Sequence, residues 1–149
     1  MNTAPLCTEI LVTLFAFPFL GAIAADAYTQ IPNMICNTAQ FTDGSVFDQA
    51  LSKTTNNLMT VIAVGKANPF IAKSCETNLF MEAYCNESIG TYECTDCFNA
   101  IKNDINNMCK NSLGVQVTLQ DCNLRYETYS FDQIEEKLKP FVKCPGTTP

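Results

Sequence analysis

The chain contains no histidine and no tryptophan, and only 9 of its 149 residues are basic against 15 acidic ones, for a net charge of −6. Each shortage closes off a class of chemistry. Histidine alone titrates near neutrality without perturbation, so its absence excludes Ser-His-Asp and Cys-His nucleophile-base pairs and any zinc site built on imidazole. The deficit of Lys and Arg argues against nucleic acid as a partner, because phosphate binding draws on surplus cations to release counterions. It argues equally against disruption of anionic membranes, which needs cationic amphipathic helices. No internal repeat, low-complexity tract or linker breaks the chain. On these grounds we expect no enzyme, with no catalytic residue, cofactor or metal. Glu135-Glu136 reads as a solvated helix start, since neighbouring helical residues point apart and cannot work as an acid/base pair.

What the chain does have is cysteine, nine in all, an odd number. Ile10 to Ala24 is an uncharged apolar run that ends in the small residues Ala22-Ile23-Ala24. It is short for a membrane span, which takes about 20 residues, and reads as the core of a secretory signal peptide. The expected leader is residues 1–24, with cleavage after Ala24, Ala25 or Ala27, although its first segment lacks Lys and Arg and carries Glu9. Cleavage after Ala24 also removes Cys7, leaving eight cysteines, 14 acidic and 9 basic residues on 125 residues, net −5. The product is expected to be secreted and extracellular, with no membrane span. Eight cysteines in an oxidising compartment point to four disulfides, whose pairing the spacing alone leaves open. Cys94-Thr95-Asp96-Cys97 has a metal-like or redox-like spacing. No second CxxC completes a zinc site, and no apolar strand leads directly into it as a thioredoxin-like motif requires.

Periodicity outlines the elements. Tyr28 to Cys36, carrying Pro32, reads as an edge strand. After a turn at Asp43-Gly44, Phe47, Leu51, Leu58 and Ile62 fall at helical spacing, and Gly65 sits where a C-cap would end a first helix. Lys66 to Thr77 lacks a period and reads as a loop carrying Cys75, and Leu79 to Cys85 reads as a strand. A second helix runs from an N-cap at Thr91 to about Lys110, with Cys94, Phe98, Ile101, Ile105 and Met108 as its buried stripe. Met59, Met81 and Met108 read as core filler. Val115, Val117 and Leu119 alternate with polar residues, as do Leu124, Tyr126 and Thr128, which suggests two adjacent antiparallel strands. Ser130 to Gln133 has capping-box spacing for a short C-terminal helix ended by Pro140, with Cys144 tying down a frayed tail at 145–149.

Cys85-x8-Cys94-x2-Cys97, within CNESIGTYECTDC, resembles the signature of the ginkbilobin-like domain of land plants, also called the cysteine-rich-repeat secretory or salt-stress/antifungal domain. The resemblance extends to Cys36-Asn37-Thr38, Cys109, Gly114-x-x-Val117 and Asp121-Cys122-Asn123-Leu124-Arg125-Tyr126-Glu127, and covers roughly Tyr28 to Phe131. It implies an α+β fold with two helices packed on a five-stranded antiparallel sheet, stapled by disulfides Cys36–Cys109, Cys85–Cys94 and Cys97–Cys122. A single domain at 28–144 is expected, including the extra C-terminal helix. Cys75 and Cys144 remain and are assigned to each other by elimination. The plant lipid-transfer framework is excluded, because it needs a Cys-Cys pair and a Cys-x-Cys.

The resemblance also implies a secreted defence protein, with mannose binding and antifungal action in a seed member that uses an asparagine, an arginine and a glutamate. Those positions fall on Asn37, Gln116 and Glu127. Sugar hydroxyls pair well with amides, carboxylates and guanidinium groups, and charged partners are roughly twice as strong as neutral ones. Gln116 in place of the arginine gives up the charge and the planar fork. Arg125 and Glu127, two apart on one strand, share a face, so Arg125 either reaches the same ligand or simply pairs with Glu127. Asn37 is a sugar contact or a turn amide beside a disulfide, and Gln116 a sugar contact or a plain solvent-facing residue. The expected partner is therefore a mannose-type glycan or, if the sugar site has decayed, an extracellular protein. Asn86-Glu87-Ser88 is an N-glycosylation sequon.

Overall fold

A computed structural model describes residues 33–65, 68–132, 134 and 137. The leader at 1–24 and its cleavage positions, the expected strand residues Tyr28–Pro32, Pro140, Cys144 and the tail at 145–149 lie outside them.

Two helices, α1 (Val46–Ala63) and α2 (Thr91–Met108), pack on one face of a five-stranded sheet. Its strands are β1 (Asn33–Cys36), β2 (Phe70–Ser74), β3 (Leu79–Cys85), β4 (Val115–Thr118) and β5 (Cys122–Glu127). They lie in the order β1-β4-β5-β3-β2, every neighbouring pair antiparallel. Helix α1 starts where Ser45 accepts a hydrogen bond from the Asp48 N–H while the Asp48 carboxylate accepts one from Gly44, satisfying donors the first turn would leave orphaned. It ends at Gly65, whose positive φ of 67° lets its N–H return to the Ile62 carbonyl at 2.8 Å. From below, α1 sends Phe47, Leu58 and Ile62 and α2 sends Phe98 and Ile101 against Leu79, Met81, Val115, Val117, Leu124 and Tyr126 of the sheet, all buried. Each such side chain contributes about 1.5–3 kcal/mol of hydrophobic stabilisation.

All three described disulfide bridges fasten α2 to the sheet. Cys36–Cys109 joins its end to β1, Cys85–Cys94 joins its first turn to the end of β3, and Cys97–Cys122 joins its next turn to the start of β5. Cys75 is also disulfide-bonded.

Three expectations need correction, and a fourth falls mostly outside the described residues. The loop expected over Lys66–Thr77 contains β2, which pairs residue by residue with β3 from Phe70↔Ala83 to Ser74↔Leu79. Only Phe70 in it is fully buried, so its pattern is weak and the partner strand makes it extended. The α2 N-cap is Gly90, with no side-chain cap bond, and Thr91 is already helical. Its carbonyl accepts the Thr95 hydroxyl at 2.8 Å. Met108 is 53 % exposed, neither stripe residue nor core filler, because Cys109, drawn in by its disulfide and 3 % exposed, takes the inward position. Finally, a C-terminal helix is not among the established elements, since residues 133, 135, 136 and 138 onward fall outside the description. Phe131 and Ile134 are nevertheless buried against Phe80 on the sheet face opposite the helices.

Candidate functional site

On that opposite face the register assembles the candidate residues in two neighbouring rows. Ile35 pairs with Gln116, Gln116 with Arg125, and Arg125 with Glu82, giving a row straight across four strands. One step toward the end of the sheet, the same register sets Asn37 beside Gly114 and Gly114 beside Glu127, which in turn pairs with Phe80. The Asn37 N–H donates to the Gly114 carbonyl at 2.7 Å, continuing the β1–β4 ladder one residue beyond its strands. Side-chain alternation puts both rows on one face, as the two-residue spacing of Arg125 and Glu127 implies.

Gly114 is what brings the second row together. A Cβ built on it would overlap Glu127 Oε2, come within 2.9 Å of Glu127 Cδ, and touch Asn37 Cβ at 3.5 Å. The missing side chain is thus the space in which the Glu127 carboxylate lies, between the glycine backbone and Arg125. Ser112, 2 % exposed, holds this corner. Its hydroxyl lies 2.7 Å from both the Asn37 and the Gly114 carbonyl, and its own carbonyl accepts the Tyr126 hydroxyl at 3.1 Å. Burial pushes the Tyr126 hydroxyl pKa well up, and the neighbouring Glu127 charge adds to the shift.

The three candidate side chains differ in availability. Asn37 is exposed, and its Oδ1 accepts the Ala39 N–H at 3.0 Å in an Asx turn. Gln116 is exposed. Glu127 is buried, 8 % exposed, with Oε1 receiving Arg125 Nε at 3.4 Å. Arg125 is held on several sides at once. It donates to Asp132 Oδ2 at 3.2 Å, and its guanidinium carbon stands 4.3 Å from the centre of the Phe131 ring. Desolvation works to lower its pKa, but the Tyr129 side chain, the bond to Glu127 and the charges of Glu127 and Asp132 prevail and raise it. The guanidinium is therefore an internal partner of Glu127 and Asp132.

The motif Gly114-x-x-Val117 marked the glycine without disclosing its purpose. An interior glycine beside a strand signals close approach, but which atom approaches depends on the pairing. Ser112 and the Phe131–Asp132 clamp carry no signal in the sequence at all. Elsewhere, Asn86 is exposed in the turn after β3, and its Oδ1 accepts both the N–H and the hydroxyl of Ser88, at 3.1 and 2.9 Å. Among the described residues no group of three or more His, Cys, Asp and Glu side chains could hold a metal ion, and no helix is long and apolar enough to cross a membrane.

The model of a protein family described as "Salt stress response/antifungal" matches residues 35–129, which spans the sheet, both helices and both rows of the site. The chain belongs to the salt stress response/antifungal family. Within it, the chain is similar to antifungal protein ginkbilobin-2 of Ginkgo biloba, 30 % identical over 115 residues covering 70 % of this chain and 81 % of that protein. It is also similar to antifungal protein ginkbilobin-like protein 1 of Picea sitchensis, 33 % identical over 116 residues covering 74 % of this chain and 86 % of that one. Two solved structures share the fold, the tandem DUF26 ectodomains of the Arabidopsis thaliana cysteine-rich receptor-like proteins PDLP8 and PDLP5. The PDLP8 match has a TM-score of 0.58 at 22 % identity and covers 66 % of this chain and 48 % of that one. The PDLP5 match has a TM-score of 0.59 at 19 % identity and covers 70 % and 51 %. The chain thus spans about half the length of each ectodomain.

Proposed function

We propose that this protein is a secreted, extracellular defence module of the salt stress response/antifungal family. In this reading the row Asn37–Gly114–Glu127, with Gln116 beside it, is a carbohydrate-binding edge for mannose-type glycans. The observation that carries the reading is the missing side chain of Gly114, which makes room for the Glu127 carboxylate in the same row as the exposed Asn37. An exposed amide offers donors and a carboxylate offers acceptors, the pairing that vicinal sugar hydroxyls use. The antifungal names of the ginkgo and spruce relatives support the defensive role.

A second reading, an extracellular protein-interaction module without sugar binding, is favoured by two considerations. Gln116 stands where the resemblance implies an arginine, and Arg125, the nearest guanidinium, is committed to Glu127 and Asp132. A glycan array with the oxidised protein separates the two readings. The lectin reading expects mannose-type signals that Glu127→Ala abolishes and Gln116→Arg strengthens. An array silent for the protein and for Gln116→Arg alike would leave the interaction module. We further infer that Asn86 carries an N-glycan in the secreted protein, which a mass decrease in Ser88→Ala would register.

A further inference from the structure

The helix side of the molecule, across the sheet from the candidate sugar edge, has a cavity of about 500 Å³ between α1 and α2. Its accessible apolar lining is Phe41, Leu51, Met59 and Ile105, partly buried side chains that lie over core residues such as Leu58, Met81 and Ile101. Protein interiors are normally close-packed, and a cavity of 300–1,000 Å³ with apolar walls and a few polar groups is the usual form of a small-ligand site.

The rim supplies the polar groups, and its charge is asymmetric. Of the six basic side chains among the described residues, Lys53, Arg125 and Lys137 hold carboxylates and Lys73 lies over the Phe80 ring. The remaining two, Lys102 and Lys110, are exposed, form no ion pair among the described residues, and both stand on this rim. Asp48 is the one carboxylate among the lining residues. It belongs to the first turn of α1, and that end of the groove meets the end of α2, because Phe41 donates to the Asn111 carbonyl and Asn111 donates to Asp43. Asp48 therefore neighbours the Lys110 end. Lys102 lies two turns back along α2, about 12 Å away at 1.5 Å per residue, where no carboxylate lines the cavity.

From this we propose that the groove between α1 and α2 binds a small amphipathic anion, an alkyl or ring-bearing carboxylate, with its apolar body over Leu51, Met59 and Ile105 and its anionic head on Lys102. The site is separate from the glycan edge and stands independently of that reading.

Dodecanoate, titrated below its micellar range into isotopically labelled oxidised protein, tests it, with dodecanol and dodecyltrimethylammonium as neutral and cationic controls. Saturable shifts are expected at the amides of Leu51 and Ile105 and the methyl of Met59. The Lys102→Gln variant, altered only at an exposed side chain, should weaken dodecanoate about threefold to tenfold, in line with one charged contact at a partly wet rim, and leave dodecanol unchanged. Lys110→Gln should weaken it less. Shifts that fail to saturate, or that fall on the opposite sheet face, overturn the site. Equal binding of the cationic and anionic amphiphiles, or dodecanoate binding indifferent to Lys102→Gln, overturns the assignment of the ligand as an anion.

Discussion

Replacing Gly114 with alanine should reverse its effect on stability according to whether Glu127 is present. Gly114 does not sit in the left-handed backbone region, so alanine is conformationally admissible there. At such a site the substitution stabilises by about 0.4–1 kcal/mol, because the unfolded chain has less freedom to lose. In the native background that gain is opposed. The new methyl would occupy the position of Glu127 Oε2, and the carboxylate, 8 % exposed and bonded to Arg125, can retreat only by giving up that partner or by pushing on Asn37. Overpacking of this kind costs about 1–3 kcal/mol. The net expectation is a loss of about 1 kcal/mol for Gly114→Ala alone and a gain of about 0.5 kcal/mol for the same change in a Glu127→Ala background. The difference, about 1.5 kcal/mol, is the coupling between two touching residues. Urea unfolding followed by far-ultraviolet circular dichroism measures it, and with m near 2 kcal/mol/M the midpoint should fall by about 0.5 M in one background and rise by about 0.25 M in the other. If the shift has the same sign and size in both, Glu127 does not occupy the space over Gly114, and the account of how the site is assembled fails.

Three other outcomes follow from the same contacts. Arg125→Met keeps an apolar contact with Phe131 but leaves the Glu127 carboxylate without its guanidinium, and should cost about 1–2 kcal/mol in the same unfolding assay, discounted for partial exposure; a loss under 0.3 kcal/mol would mean the clamp is slack. The Tyr126 hydroxyl pKa is raised from an ordinary value of 10.0, so above about pH 10 the unfolded chain releases a proton that the folded one keeps. That contribution to stability is complete below pH 10 and falls as pH rises beyond it, and Tyr126→Phe should flatten this alkaline decline in pH-resolved melting curves. Peptide mapping without reduction should recover Cys75 linked to Cys144; because such a bridge closes a loop of about 70 residues, Cys75→Ser should lose roughly 2–4 kcal/mol. Recovery of Cys75 with any other partner would refute the assignment.

The elements legible in advance are those whose signals are local. Helix α1 could be read along its length and at its end, because the Phe47–Ile62 stripe and Gly65 each act within a turn or two of themselves, while its Ser45 cap emerged from the structure. The alternation of Val115 and Val117, and of Leu124 and Tyr126, likewise disclosed β4 and β5 and their adjacency. Strand β2 escaped because Phe70 is its one fully buried residue and its extension is enforced by β3. Met108 misled because helical period cannot register that Cys109 is pulled inward by a disulfide 73 residues away in sequence.

The same division runs through function. Composition alone, with no histidine and few cations, narrowed the chemistry, the family resemblance nominated Asn37, Gln116 and Glu127, and residue order was enough to set Arg125 and Glu127 on one face, since that depends only on the alternation of a strand. What each of those residues is free to do was decided by tertiary structure. Arg125 is consumed by Asp132 and Phe131 on a returning segment, Glu127 is folded into a gap left by a glycine beside the neighbouring strand, and two lysines with no ion pair among the described residues meet an apolar hollow that neither helix forms alone. Those are relations between distant segments, fixed by strand register and helix docking, and no local pattern of residues encodes them.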